Sequence, residues 1–156
     1  MKKIFALIAV SALLLTGCGD KKVSASADNL PTVTTNQGEA PTIGAPSGTP
    51  PTTLVTKDII VGTGAEALPT STMTVHYTLM TWSNGALIES SWNGGSPATF
   101  PLANVIVGWQ QGIPGMKVGG RRLLVIPPDL GYGAQGGGPI GPNETLIFVV
   151  DAIGVA

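Results

Sequence analysis

Few side chains in this sequence could act as nucleophiles, general bases or metal ligands. There is one cysteine, Cys18, and one histidine, His76. A single histidine excludes a multi-histidine metal centre within one chain. A single cysteine excludes an intrachain disulfide. No G-x-S-x-G elbow offers a hydrolytic serine. The carboxylates Asp58, Glu66, Glu89, Asp129, Glu144 and Asp151 are scattered, so no acid–base pair is visible. Gly133-Ala134-Gln135-Gly136 lacks a following Lys-Ser/Thr and opens no helix, which excludes a phosphate loop. What remains is aromatic. Trp109 lies between Gly108 and Gly112, and Tyr132 between Gly131 and Gly133. Such amphipathic rings can line an apolar pocket and offer one polar atom to a ligand. The chemistry this permits is binding and water exclusion, without a nucleophile, metal or cofactor.

The elements that must position these rings begin well inside the chain. Its 156 residues have room for one domain and a tail. Charged residues make up 11%, far below the usual quarter, and the net charge is −1. A nucleic-acid binder needs a basic face, so that class is excluded. The 22 glycines and 13 prolines favour turns over long helices. Residues 1–17 open with Lys2-Lys3, run apolar from Ile4 to Leu15 and close on small residues. That is the pattern of a secretory signal peptide, too short for a permanent span. Leu15-Thr16-Gly17-Cys18 resembles the lipobox of bacterial lipoproteins. The resemblance implies cleavage before Cys18, its lipidation and a membrane anchor. Residues 18–52 are rich in Ser, Thr, Pro and Ala with no periodic apolar pattern. They are expected to form a disordered tether reaching roughly 30 Å.

The folded domain is expected over residues 53–156. Val55–Val61, Met73–Met80, Ala86–Ser91, Ala98–Phe100, Arg121–Ile126 and Thr145–Ile153 read as strands. Asn84-Gly85 marks a hairpin between the second and third. Asn104 is placed to cap a short helix beginning near Ile106, which Pro114-Gly115 breaks. One short helix and about five strands predict an α+β fold: an antiparallel, strongly twisted sheet wrapped over the helix. Arg121 and Arg122 read as a solvated strand start, His76 as a structural histidine and Asp129 as a turn residue.

Within this domain the residues Val75-His76-Tyr77-Thr78, Glu89-Ser90-Ser91, Val105-Ile106-Val107-Gly108-Trp109, Gly115-Met116-Lys117-Val118-Gly119, Ile126-Pro127-Pro128, Tyr132-Gly133-Ala134 and Thr145-Leu146-Ile147-Phe148 follow a recognisable order. They resemble the FKBP-type peptidyl-prolyl cis–trans isomerases, the immunophilins, across about two-thirds of the chain. The resemblance implies Trp109 as the floor under a prolyl ring, with Tyr77, Val105, Ile106 and Phe148 as walls. It implies that the Ile106 N–H and the Tyr132 hydroxyl hold substrate carbonyls. Ile140 is the expected pocket residue of the glycine-rich loop.

The chain departs from the family at three positions. An aromatic followed by aspartate is replaced by Ile88 and Glu89, which the resemblance implies as a substrate-binding and a catalytic residue of the pocket. A second aromatic near Phe100 corresponds to Ala98, which is expected to open one wall. The implied partners are proline-containing unfolded or exported polypeptides, and macrolide inhibitors for the same pocket. The expected location is the bacterial cell envelope, lipid-anchored and outside the cytoplasm, with a monomeric domain and no nucleic acid. A binding or chaperone module with little turnover, or a surface interaction lipoprotein, are the competing functions.

Overall fold

The apolar runs of this sequence become strands where β-branched residues dominate, and a helix only where Gly108 and Gly112 allow one to lie close to the sheet. The computed structural model describes residues 29–156. The signal peptide and Cys18 lie outside the described residues. The elements are β1 (Val55–Ile60), β2 (Thr72–Thr81), β3 (Leu87–Ser90), β4 (Ala98–Pro101), α1 (Val107–Gly112), β5 (Arg121–Ile126) and β6 (Leu146–Val155). Six strands form one antiparallel sheet, ordered β1-β5-β6-β2-β3, with β4 also paired to β2. The expected α+β class holds, and each of the six stretches read as strands forms one. β2 is long enough to carry β3 along Thr78–Met80 and β4 along Thr72–Val75. The β2–β3 turn forms as its Asn-Gly pair requires. Gly85 takes φ +64°, and the Asn84 Oδ1 accepts from the Ala86 N–H (2.9 Å) and the Thr81 hydroxyl (2.6 Å).

Alternate residues of β5 and β6 point to opposite faces. Leu124, Ile126, Phe148 and Val150 join Trp109 and Ile113 of the helical segment in one core. Leu123, Val125, Ile147 and Val149 form a second core on the back of the sheet with Trp82. A strand that reads apolar at nearly every position needs cover on both faces. The back cover is the segment expected to be a disordered tether. Leu30, Val33 and Ile43 pack on the back core. Val33 and Ile43 form an antiparallel bridge, flanked by Gly44 N–H to Thr32 O at 2.8 Å. The expectation failed for residues 29–52 because it asked whether the segment could build a core of its own. It needs only to add three apolar side chains to a face the domain already presents.

Arg121 corrects a second expectation. It is fully buried, not solvated. Its Nε donates to Asp151 Oδ1 (2.7 Å), Nη1 to Thr34 O (2.9 Å) and Nη2 to Glu39 O (2.6 Å). The guanidinium thus joins the back of the sheet to residues 29–52, the arm. Arg122 is not solvated either. It grips Asp58 on β1 through two bonds of 2.6 and 3.1 Å, and its Nη1 reaches Gly112 O at 2.9 Å, at the end of α1. Among the described residues no helix is long and apolar enough to cross a membrane.

Candidate active site

The helix sits where it does because two of its six residues have no side chain. A Cβ on Gly108 would lie 2.4 Å from Ile126 Cγ2, and one on Gly112 would lie 2.5 Å from Leu124 Cδ2. The backbone of α1 therefore approaches β5 more closely than any larger residue would permit. Trp109 is only 4% exposed. Its ring meets three others edge-on: Phe148 at 5.3 Å and 82°, Tyr77 at 5.8 Å and 83°, Phe100 at 5.9 Å and 89°. T-shaped packing of this kind is worth about 0.5–1.5 kcal/mol per pair beyond area burial. The rings come from β2, β4, α1 and β6, so three paired strands and the helix hold the cluster.

Above Trp109 opens a cavity of about 280 Å³. Tyr77, Phe148, Val105, Ile106, Tyr132 and Glu89 line it, together with Leu79, Phe100 and Asn104. The structure thus brings Tyr77, Glu89, Val105, Ile106, Trp109, Tyr132 and Phe148 to one place. It does not bring Ile88 or Ile140 to the wall. Ile88 lies one residue from Glu89 and packs half-buried at the edge of the front core. Ile140 is buried in that core, in a bridge with Gly137, so it holds the loop from within and touches no ligand space.

Phe100 was missed as a site residue. Residues two apart on a strand share a face, so Phe100 shares one with Ala98 and fills the wall that Ala98 was expected to open. The Ala98-Thr99-Phe100 alternation was signal enough to find it. Leu79 follows from the same rule, two residues after Tyr77. Asn104 had no such signal, because it ends a 3₁₀ turn, Leu102–Asn104. It does not cap α1 as expected. Ile106 holds that position, with φ −57° and ψ 151° and no side-chain cap.

Polar groups at the mouth are few and specifically placed. The Tyr77 hydroxyl donates to Glu89 Oε1 at 2.5 Å. Burial pushes the Tyr77 phenol well above its ordinary range, and the Glu89 carboxylate pushes it further. The phenol therefore stays neutral and remains a donor. The Ser91 hydroxyl accepts the Tyr77 N–H at 2.9 Å and contacts His76 Nδ1 at 3.0 Å. His76 stacks on Trp92 at 3.9 Å and 15°. It contributes no surface to the cavity.

Tyr132 is 41% exposed at the rim. Its loop is tied by Gly133 N–H to Pro128 O and Asn143 N–H to Gly133 O, both 2.9 Å. A Cβ on Gly137 would lie 3.0 Å from the Tyr132 ring, so the loop backbone presses against that ring. The Ile106 carbonyl accepts from the N–H groups of Trp109 (2.9 Å) and Gln110 (3.2 Å). Among the described residues nothing accepts the Ile106 N–H. Ile106 itself lines the cavity.

A larger cleft, about 450 Å³, lies between the arm and Trp82. Its polar groups already bond one another. Glu144 takes the Ser83 N–H (3.0 Å) and hydroxyl (2.6 Å), and the Trp82 indole N–H reaches Gly48 O (3.2 Å). Among the described residues there is no group of three or more His, Cys, Asp or Glu arranged to hold a metal.

This geometry can be set beside known proteins. The chain is 50% identical over 115 residues to a probable FK506-binding protein of Corynebacterium glutamicum, spanning 74% of this chain and 98% of that one. It is 43% identical over 106 residues to the outer membrane protein MIP of Legionella longbeachae, spanning 67% of this chain and 45% of that one. Its fold matches the crystal structure of AtFKBP13 with a TM-score of 0.61 and 39% identity, over 66% of this chain and 93% of that one. The family model described as "FKBP-type peptidyl-prolyl cis-trans isomerase" matches residues 64–153. That stretch contains every residue of the aromatic cavity, and with it the chain belongs to the family of FKBP-type peptidyl-prolyl cis–trans isomerases.

Proposed function

We propose that this isomerase turns X–Pro bonds of exported polypeptides at the bacterial cell envelope, assists their folding there, and works through the cavity over Trp109. The observation that carries the site is the apolar cavity of about 280 Å³, floored by a buried tryptophan and walled by Tyr77, Phe100 and Phe148. Rotation about an X–Pro bond breaks amide resonance, with a barrier of about 18–20 kcal/mol. Unassisted, it takes tens to hundreds of seconds. No bond is made or cut, so no nucleophile is required. The twisted imide has lost conjugation and is less polar than the planar one. A dry, aromatic pocket around the proline ring therefore favours the twisted state over the ground state.

In this reading the proline ring packs on Trp109. The Ile106 N–H and the Tyr132 hydroxyl hold the flanking carbonyls while the bond turns. The Tyr77–Glu89 pair keeps a polar, ordered rim at the mouth. The family name and the relatives named as FK506-binding proteins support macrolides as inhibitors of the same cavity. The envelope location rests on the signal-like N-terminus and on Cys18, with the MIP relative's printed name in support.

A protease-coupled tetrapeptide assay tests the mechanism. Wild type is expected to accelerate isomerisation, and Trp109→Ala to lower kcat/KM by more than about tenfold. Because Trp109 is also core, Tyr132→Phe serves as a folded companion and is expected to lose about threefold to tenfold. Equal rates for all three proteins would reject this site.

A further inference from the structure

The cavity wall contains a bond that the function above does not use. The Gln110 side chain folds back over the entry to α1 and donates its Nε2 to the Val105 carbonyl at 2.7 Å, with the Ala103 carbonyl at 3.5 Å beyond it. We propose that Gln110 is a positioning residue, which orients the Val105–Ile106 peptide so that the Ile106 N–H faces the substrate carbonyl. The inference rests on the role given to the Ile106 N–H above.

The Val105 C=O and the Ile106 N–H belong to one peptide unit. That unit is planar and trans, so its C=O and N–H point in opposite directions. Fixing the carbonyl fixes the N–H. The carbonyl is drawn outward, to Gln110 on the exposed side of α1, and Val105 and Ile106 line the cavity. The other side of Ile106 is held separately, because its own carbonyl accepts the Trp109 and Gln110 N–H groups. Ile106 is thus pinned at both flanking peptides, and neither bond consumes its N–H.

The chemistry requires a donor at residue 110. Both acceptors within reach are carbonyl oxygens, so the amide nitrogen must face them. A carboxylate at the same length has no proton to offer and would repel the Val105 carbonyl. Glutamate therefore mimics glutamine in shape but not in function, unless it is protonated. The residue lines no part of the cavity and acts only through the Val105–Ile106 peptide.

The test uses the full-length chain with Gln110→Glu and Gln110→Met, both of which keep side-chain length in the helix. At about pH 7.5 each is expected to lose about fivefold to tenfold in kcat/KM, the scale of one misdirected hydrogen bond. The loss should fall mainly on KM, because the flanking carbonyl is held in ground and twisted states alike. NMR exchange spectroscopy on a proline peptide then follows Gln110→Glu toward about pH 4, where the carboxyl gains the proton it lacks. Activity relative to wild type should recover for Gln110→Glu and not for Gln110→Met. In both variants the Ile106 amide resonance should move at neutral pH.

Wild-type kinetics with an unmoved Ile106 amide would overturn the proposal, as would equal, pH-independent losses in both variants. If wild type itself did not accelerate exchange, the isomerase mechanism would fall instead. The Ile106 amide shift would still decide whether Gln110 sets that peptide.

Discussion

Tyr77 shows how much a single side chain carries in this cavity. It is wall, hydrogen-bond donor and neighbour of three rings at once. Its phenol is held protonated first by burial and then by the Glu89 carboxylate. The chain has two tyrosines, so an ultraviolet titration can separate them. One phenol should ionise well above the ordinary value of about 10, and Tyr77→Phe should abolish that step. Glu89→Gln should bring it only part of the way down, because burial, the larger cause, remains. A folded-state phenol that keeps its proton longer stabilises the fold below about pH 10, and that contribution is lost as pH rises beyond it. The sequence made Tyr77 and Glu89 legible as site residues. It did not show their mutual bond, since residues 12 apart meet only through strand pairing.

At the scale of elements, α1 and the arm do the positioning. Gly108→Ala would drive a Cβ to 2.4 Å from Ile126 and force α1 off β5. Overpacking of this kind costs about 1–3 kcal/mol. The variant should show a lowered urea midpoint together with altered Trp109 fluorescence, because the ring rides on the displaced helix.

The arm is tied by Arg121. Removing the guanidinium leaves Asp151 buried without its cation. Arg121→Met is therefore expected to cost about 3–5 kcal/mol at neutral pH in urea unfolding. Burial already holds the Asp151 carboxyl above its ordinary range, with Arg121 opposing that shift. A raised carboxyl means that stability falls as pH climbs from the ordinary carboxylate value to the folded one. Without Arg121 that window widens upward. The deficit of Arg121→Met should shrink in acid, where Asp151 takes up a proton. An arginine pair at a strand start reads as solvated because its usual partner is water. Here the partners are backbone carbonyls about 80 residues earlier in the chain (Thr34 and Glu39), which no local pattern announces.

For the whole molecule, the ordered arm changes how the domain would be held. The tether proposed from the sequence ran over residues 18–52. With residues 29–52 laid on the sheet, only Gly19 to Asp28 separate Cys18 from the packed segment. Even fully extended, such a link reaches about 35 Å. A lipid anchor at Cys18 would therefore keep the start of the packed arm within that reach of the membrane surface. Mass spectrometry of the mature protein is expected to show an acylated Cys18 as its first residue, and Cys18→Ser to release the protein from membranes. An unmodified residue 18 in wild type would remove the anchor.

The sequence by itself determined the strands, one short helix and the Asn-Gly hairpin of the domain, and its resemblance to the family pointed to most of the aromatic cavity. The strands, helix and hairpin rest on local causes: β-branched runs and turn chemistry. Only the tertiary structure decided the remainder. It turned Ile140 inward and buried Arg121 beneath an arm that composition alone marked as disordered. Each of these depends on what a distant segment presents. An apolar face on the back of β5 and β6 can order a chain too polar to order itself. That is why the V-I-V-G-W-Q-Q-G stretch was readable in sequence and the arm behind the sheet was not.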